Sequence, residues 1–322
     1  MTATALRSVC LLSLFFVVLL HQSPTTAATK TNETAKNQPV QVVMKNVTYH
    51  FTDQIAVHIV QLQGYLTPTI PGTLIVFDDR NSFTLNLASA EIAISCHSLA
   101  QVLNENVFAA ASAPIKDVTI ESKNNQLIVK GKLHQKGDVS FESVGTLSLD
   151  ADGRVRLHVD HLKAAHLPVK GLMDLLGLDV AHMINLKKIP GITAEKDDLL
   201  LDPAQILPPP RVQGKLSAIR IQGNELVQVF GSLQASNFAA RQPGNYMAYH
   251  DGVLGFGKLI VNDVDLILVD MDGGDPFDFY LDHYQEQLSA GYIKITPDFG
   301  LRVYTRDYGK LRKRPAAARD TK

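Results

Sequence analysis

The chain reads as an α+β fold: a strongly curved antiparallel β-sheet wrapped around one or two amphipathic helices, plus a smaller C-terminal α+β unit. Three observations predict it. Between Lys116 and Leu162, apolar residues recur at every second position and Asn, Asp and Gly clusters interrupt them. That is the pattern of an antiparallel meander with one oily face. Helical periodicity is confined to a few short windows. Finally, 45% of the 322 residues are hydrophobic, enough to bury one large core or two smaller ones.

Residues 1–28 carry a secretory-signal pattern. Arg7 precedes the apolar run Val9 to Leu20, and Thr26-Ala27-Ala28 offers a small-residue cleavage site. The run is short for a membrane span, so cleavage is expected, with retention as an N-terminal anchor the alternative. The protein is therefore expected to be exported, periplasmic or secreted. Residues 29–41 are a polar linker. Residues 42–231 form the main β-meander and helix domain, 232–309 the C-terminal unit, and 310–322 a basic tail. Cys96 is the one cysteine beyond the leader, and its apolar surroundings make it a buried, inert thiol. Asn32-Glu33-Thr34 and Asn46-Val47-Thr48 are glycosylation-type tripeptides.

Strand patterns begin near Val42 and continue through Val57, Ile59 and Leu62, with slips that suggest bulges. Pro68 and Pro71-Gly72 break them. Leu74 to Phe77 is a short run, and Phe83 to Leu87 and Ile92 to Ile94 are two further strand patterns. A helix follows, capped by Ser95 or Ser98, with Leu99, Val102, Leu103 and Val107 on one face and Pro114 as its stop. The meander comes next. Val169, Leu172, Met173, Leu176 and Val180 mark a second helix, weakened by Gly171 and Gly177. Leu199 to Leu201 is a strand, Asp202-Pro203 opens a helical turn, and Leu216 to Val229 is a hairpin about Gly223-Asn224. Val253 to Val261 is a Gly-rich hairpin, and Leu266 to Val269 is a strand buried on both faces. Asp275 as N-cap, Pro276 at the first helical position, and Phe277, Tyr280, Leu281, Tyr284 and Leu288 on one face predict a third helix. Tyr292 to Thr296 and Leu301 to Thr305 are closing strands.

The chemistry-bearing patterns are sparse. A formal net charge of -1 gives no basic face for nucleic acid. Asp263, Asp265, Asp270, Asp272, Asp275 and Asp278 crowd together but lack calcium-loop spacing, so a solvated turn is the better reading. His283 and Glu286 do not make the zincin pattern, and His158, His161 and His166 match no ligand spacing. Gly255-Phe256-Gly257 is a fragment of a dinucleotide fingerprint followed by strand residues. There is no nucleophile elbow, phosphate loop or Cys-x-x-Cys pair. No catalytic residue, metal site or cofactor is therefore expected, and the protein is read as a non-enzyme. Lys310, Arg312, Lys313 and Arg314 form a basic cluster able to meet an anionic membrane surface.

One likeness bears on function. Ser98 to Asn104, Val118-Thr119-Ile120, Leu127 to Lys132, Leu157 to Lys163, Leu167-Pro168 and Val212 to Leu216 carry it. Through these, the segment from about Ala90 to Phe230 resembles the LmeA-like phospholipid-binding family of exported bacterial proteins. More broadly it is similar to the tubular, BPI-like lipid-binding architecture. The resemblance implies an extracytoplasmic lipid carrier or sensor, and residues 234–322 lie outside it.

The expected function is non-enzymatic binding or carriage of a lipid or other apolar ligand in a groove between sheet and helix. Leu127, Val129, Leu133, Val139, Phe141, Leu147, Leu149, Leu157 and Val159 are the expected sheet wall. Leu99, Val102 and Leu103 are the helix wall. Such a carrier calls for an elongated cavity of several hundred Å³ (~300 Å³ or more). The alternative is a cell-envelope structural or interaction module whose core is fully packed. A hydrolase or metal-dependent enzyme built on Asp263 to Asp278 is the weakest reading.

Overall fold

The computed structural model describes residues 38–134, 138–164, 167–168, 189–232 and 243–311. These form a mostly β structure with three open sheets. The signal segment, the helix expected over Val169 to Val180, and Arg312, Lys313 and Arg314 lie outside the described residues. Among the described residues, no helix is long and apolar enough to cross a membrane.

The largest sheet is organised on β1 (Val40–His50). β2 (Ala56–Pro68) runs antiparallel beside it, and β4 (Phe83–Ser95) runs antiparallel beside β2. Register shifts at Ile59/Gln61 and Gln63/Gly64 carry β4 through as one bulged strand, where the sequence pattern suggested two. The hairpin β13 (Leu216–Gln222) and β14 (Glu225–Gly231) extends that edge, with β14 paired to β4. β12 (Arg211–Gln213) lies parallel to β4.

On its other edge, β1 pairs with β15 (Tyr246–His250) along Gln41 to Lys45 and with β19 (Phe277–Tyr280) along Val47 to His50. β18 (Asp265–Asp270), β21 (Leu301–Thr305) and β20 (Tyr292–Ile295) complete the sheet. The strands expected to form a separate C-terminal unit are thus hydrogen-bonded into the sheet that starts at the N-terminal end. The physical reason lies in β1, whose Val42, Val43 and Met44 are all buried. A strand apolar on successive residues is covered on both faces and sits inside a sheet, with a partner on each edge.

The second sheet is the meander. β5 (Ile115–Lys123), β6 (Gln126–His134), β7 (Asp138–Leu149) and β8 (Val155–Ala164) pair antiparallel in chain order. β11 (Asp198–Leu201) and β10 (Ile192–Glu195) continue beyond β8, and β9 (Leu167–Pro168) pairs with the end of β8. Asn124 and Asn125 both take positive φ, 53° and 61°, as a two-residue hairpin turn needs. Helix α1 (Cys96–Val102) and a π-helical turn at Leu103–Val107 connect β4 to β5. A four-residue helix α2 (Pro203–Ile206) follows β11.

The third sheet, β17 (Leu259–Asn262), β16 (Val253–Phe256) and β3 (Ile75–Val76), covers an aromatic core. There Phe77 stacks on Phe256 at 4.2 Å and meets Tyr249 edge-on at 5.8 Å. Here the sequence expectation fails at one element. Asp275 does not cap a helix, since its carboxylate accepts from Lys310 Nζ at 3.0 Å and its carbonyl from Asn245 Nδ2 at 2.6 Å. Phe277 and Phe279 are wholly buried on strand β19, and helix α3 (Tyr284–Ser289) begins only after a 3₁₀ turn at Leu281–His283. A strand's two-residue alternation joined to a short helix had mimicked one long helical face. The two main cores are continuous, because Phe51, Val57, Leu147, Leu201 and Ile219 pack against both.

Candidate functional site

The site begins with the junction of β4 and α1. The Ser95 side chain accepts from Ser98 N at 3.0 Å and caps the helix. One turn further on, the chain meets β5 at a bulge, where the β5–β6 register shifts between Lys116 and Thr119 and Asp117 has φ 54°. A bulge frees backbone groups from the ladder. The Asn104 side chain takes both of those on Val118. Its Nδ2 donates to the carbonyl at 2.8 Å and its Oδ1 accepts from the N–H at 2.9 Å. This double bond fixes Leu99, Leu103 and Phe108 over the end of the meander.

Between these elements lies an apolar cavity of about 140 Å³. One wall is the inner face of the meander. The other is the β4, β13 and β14 edge of the main sheet, through Ile94, Ile219, Leu226 and Gln228. Leu99, Leu103 and Phe108 close it on one side, and Ile206 and Leu207 join from the segment after β11. Every lining side chain among the described residues is uncharged. Two glycines shape the meander face. The Phe141 ring lies over Gly131, where a Cβ would come within 2.9 Å of it. At Gly145 a Cβ would run into the His158 carbonyl and the Leu157 side chain.

Of the residues expected to line a groove, Leu99, Leu103, Leu127, Val129, Phe141, Leu147, Leu157 and Val159 do border this cavity. Four do not. Val102 is 1% exposed and buried in the surrounding core, since a short helix packed on two sides buries more than one stripe. Leu133 is buried in the same core but away from the cavity. Val139 shares the inward parity of Phe141, yet it lies at the strand end, beyond the cover, and is 42% exposed. Leu149 packs against the other core, under the main sheet. The groove is also not simply between sheet and helix, because a second sheet contributes Ile94, Ile219, Leu226 and Gln228 to the facing wall. The sequence reading missed those residues, and it missed Ser143, the buried hydroxyl on the meander face.

No family model, curated protein or solved structure matches the chain.

The other candidates find local explanations. Asp270, Asp272 and Asp307 bring carboxylate oxygens within 4.8 Å of one another. Each oxygen already accepts a hydrogen bond. Asp270 takes Asp272 N and Asn245 Nδ2, Asp272 takes Arg306 Nη1 and Asp307 N, and Asp307 takes Asp278 N and Lys310 Nζ. Arg306 and Lys310 offset part of the cluster's negative charge. Lys310 is engaged by Asp307, Asp275 and the Asp272 carbonyl, which hold its ammonium charged. Its side chain is 41% exposed, so these ion pairs lie at the surface of the cluster. His158 pairs with Asp198 at 2.7 Å, and His283 stacks on Tyr308 at 4.4 Å. The Asn46 amide is taken up by Asn245 and His58. Cys96 is fully buried, and that burial pushes its thiol up, away from the reactive thiolate.

Proposed function

We propose that the protein is an exported, non-enzymatic binder of a lipid chain or other apolar ligand, held between the meander and the main sheet. The observation that carries this reading is the cavity: about 140 Å³ walled by Leu, Ile, Val and Phe, with no charged side chain among the described lining. Its size sets what it takes as it stands. An apolar cavity of about 150 Å³ holds a benzene molecule. About six carbons buried at ~0.8 kcal/mol each give roughly 5 kcal/mol, a Kd of the order of 0.1–1 mM. A full acyl chain requires the two sheets to part further than they do here.

The modest volume, below the several hundred Å³ expected of a carrier (~300 Å³), supports the alternative of an envelope scaffold whose core is nearly closed. Native mass spectrometry and solvent extraction of the purified protein separate the two. Binding predicts a co-purifying apolar molecule, or uptake of a polarity-sensitive dye that the molecule's own apolar ligands displace. Protein that is repeatedly ligand-free and takes up no dye leaves the scaffold.

A further inference from the structure

We infer that the ligand is electrically neutral and carries a hydrogen-bonding oxygen, which Ser143 and Gln228 receive from opposite walls of the cavity. This rests on the binding reading above and narrows its ligand class.

Ser143 lies on β7 between Phe141 and Leu147, in the inward register, and is 7% exposed. Its backbone belongs to the ladder, opposite Val129 on one side and Leu162 on the other. Its hydroxyl borders the cavity and makes no hydrogen bond to any described residue. A hydroxyl on an apolar wall needs a partner to offset its desolvation, and an alanine would continue the wall without that need. Gln228, half-buried on β14, also borders the cavity, from the wall that the main sheet supplies. It pairs across the ladder with Ile219, which also lines the cavity, and Leu226 precedes it on the same face. Its amide too has no hydrogen-bond partner among the described residues. Two polar side chains on separate sheets that border one oily space are what orient a mostly apolar ligand.

The same walls decide the charge. Among the described residues no Lys, Arg or His lines the space, so a carboxylate or phosphate beside these walls would be desolvated without a counter-ion from them. An alcohol, aldehyde, ketone or ester satisfies Ser143 and Gln228 at no such cost. The ligand class is therefore a neutral oxygenated hydrocarbon, or the neutral part of a lipid near such a group.

Three soluble molecules of benzene size test this on the full chain: benzyl alcohol, toluene and benzoate at neutral pH, followed by calorimetry or saturation-transfer NMR. Benzyl alcohol is expected to bind and benzoate to fail. Ser143→Ala is expected to weaken benzyl alcohol about 5- to 20-fold, the effect of one hydrogen bond, while toluene binding holds or tightens. Gln228→Leu is expected to act in the same direction. Both variants are checked for native circular dichroism first. If toluene and benzyl alcohol bind and neither substitution shifts their ratio, the polar recognition is wrong and the binding cavity stands. If benzoate binds as well as benzyl alcohol, the neutrality claim is wrong. If none of the three binds the folded protein, the cavity reading itself fails.

Discussion

Substituting Val129 by isoleucine asks directly whether there is room between the sheets. Val129 lines the cavity from β6, opposite Ile120 on β5 and Ser143 on β7. At ~24 cal/mol per Å³, an unfilled 140 Å³ forfeits about 3.4 kcal/mol of packing. Isoleucine keeps the β-branch, so strand preference is unchanged, and adds one methylene pointing into the space. Burying that methylene is worth ~0.8 kcal/mol. Some of this is lost to rotamer adjustment, so Val129→Ile is expected to stabilise the protein by about 0.5 kcal/mol. The same group in a tightly packed core would instead cost about 1–3 kcal/mol. The two outcomes differ in sign. Urea unfolding followed by far-ultraviolet circular dichroism reads them; Trp is absent, so tryptophan fluorescence offers no signal. A loss of more than ~1 kcal/mol at unchanged denaturant slope would show that no space exists. Where the space does exist, the added methylene is also expected to weaken toluene binding.

Three further predictions follow from the frame around the cavity. Asn104→Ala removes both partners of the Val118 backbone at the bulge and should cost about 1–3 kcal/mol, with Asn104→Asp, which keeps the acceptor, losing less; equal losses in the two would refute the paired role. Gly145→Ala drives a methyl into the β8 backbone at His158 and should cost about 2 kcal/mol or more; a thermal melt within a degree or so of wild type would contradict that geometry. For Asp307, burial is the largest influence and raises its pKa above the ordinary 3.8. The unfolded chain then releases the proton first as pH rises, so this carboxyl's contribution to stability falls from about that value upward, through the folded pKa. The stability of wild type relative to Asp307→Asn should decline across that window and then level. A rising difference would reverse the sign of the effect.

Much of this architecture is written locally. The Asn124-Asn125 and Asp150 to Gly153 turns and the alternation between them place β5 to β8, because a strand with one buried face imprints a two-residue period. The same period supplies Leu127, Phe141 and Leu157 on the cavity wall. What escapes is whatever depends on distant register. Ile94 and Leu226 reach the wall because β14 pairs with β4 across more than a hundred residues of chain, and nothing near either residue encodes that pairing. The third helix was misread because Phe277, Tyr280 and Tyr284 satisfy helical spacing by coincidence, while Phe279 belongs to the strand. Val139 shows the limit of parity. It points the right way and is still exposed, since alternation says which face a residue takes and not where the cover ends.

The way β1 is used has a consequence for how the protein is made. One edge of this strand is closed by residues 246–250 and 277–280, some two hundred positions downstream. During synthesis, that edge stays open until residues 277–280 have emerged, and an open apolar edge invites wrong partners. Maturation is therefore set by the arrival of the last third of the chain. A truncation before Phe277 should yield insoluble protein even though every residue around the cavity is intact.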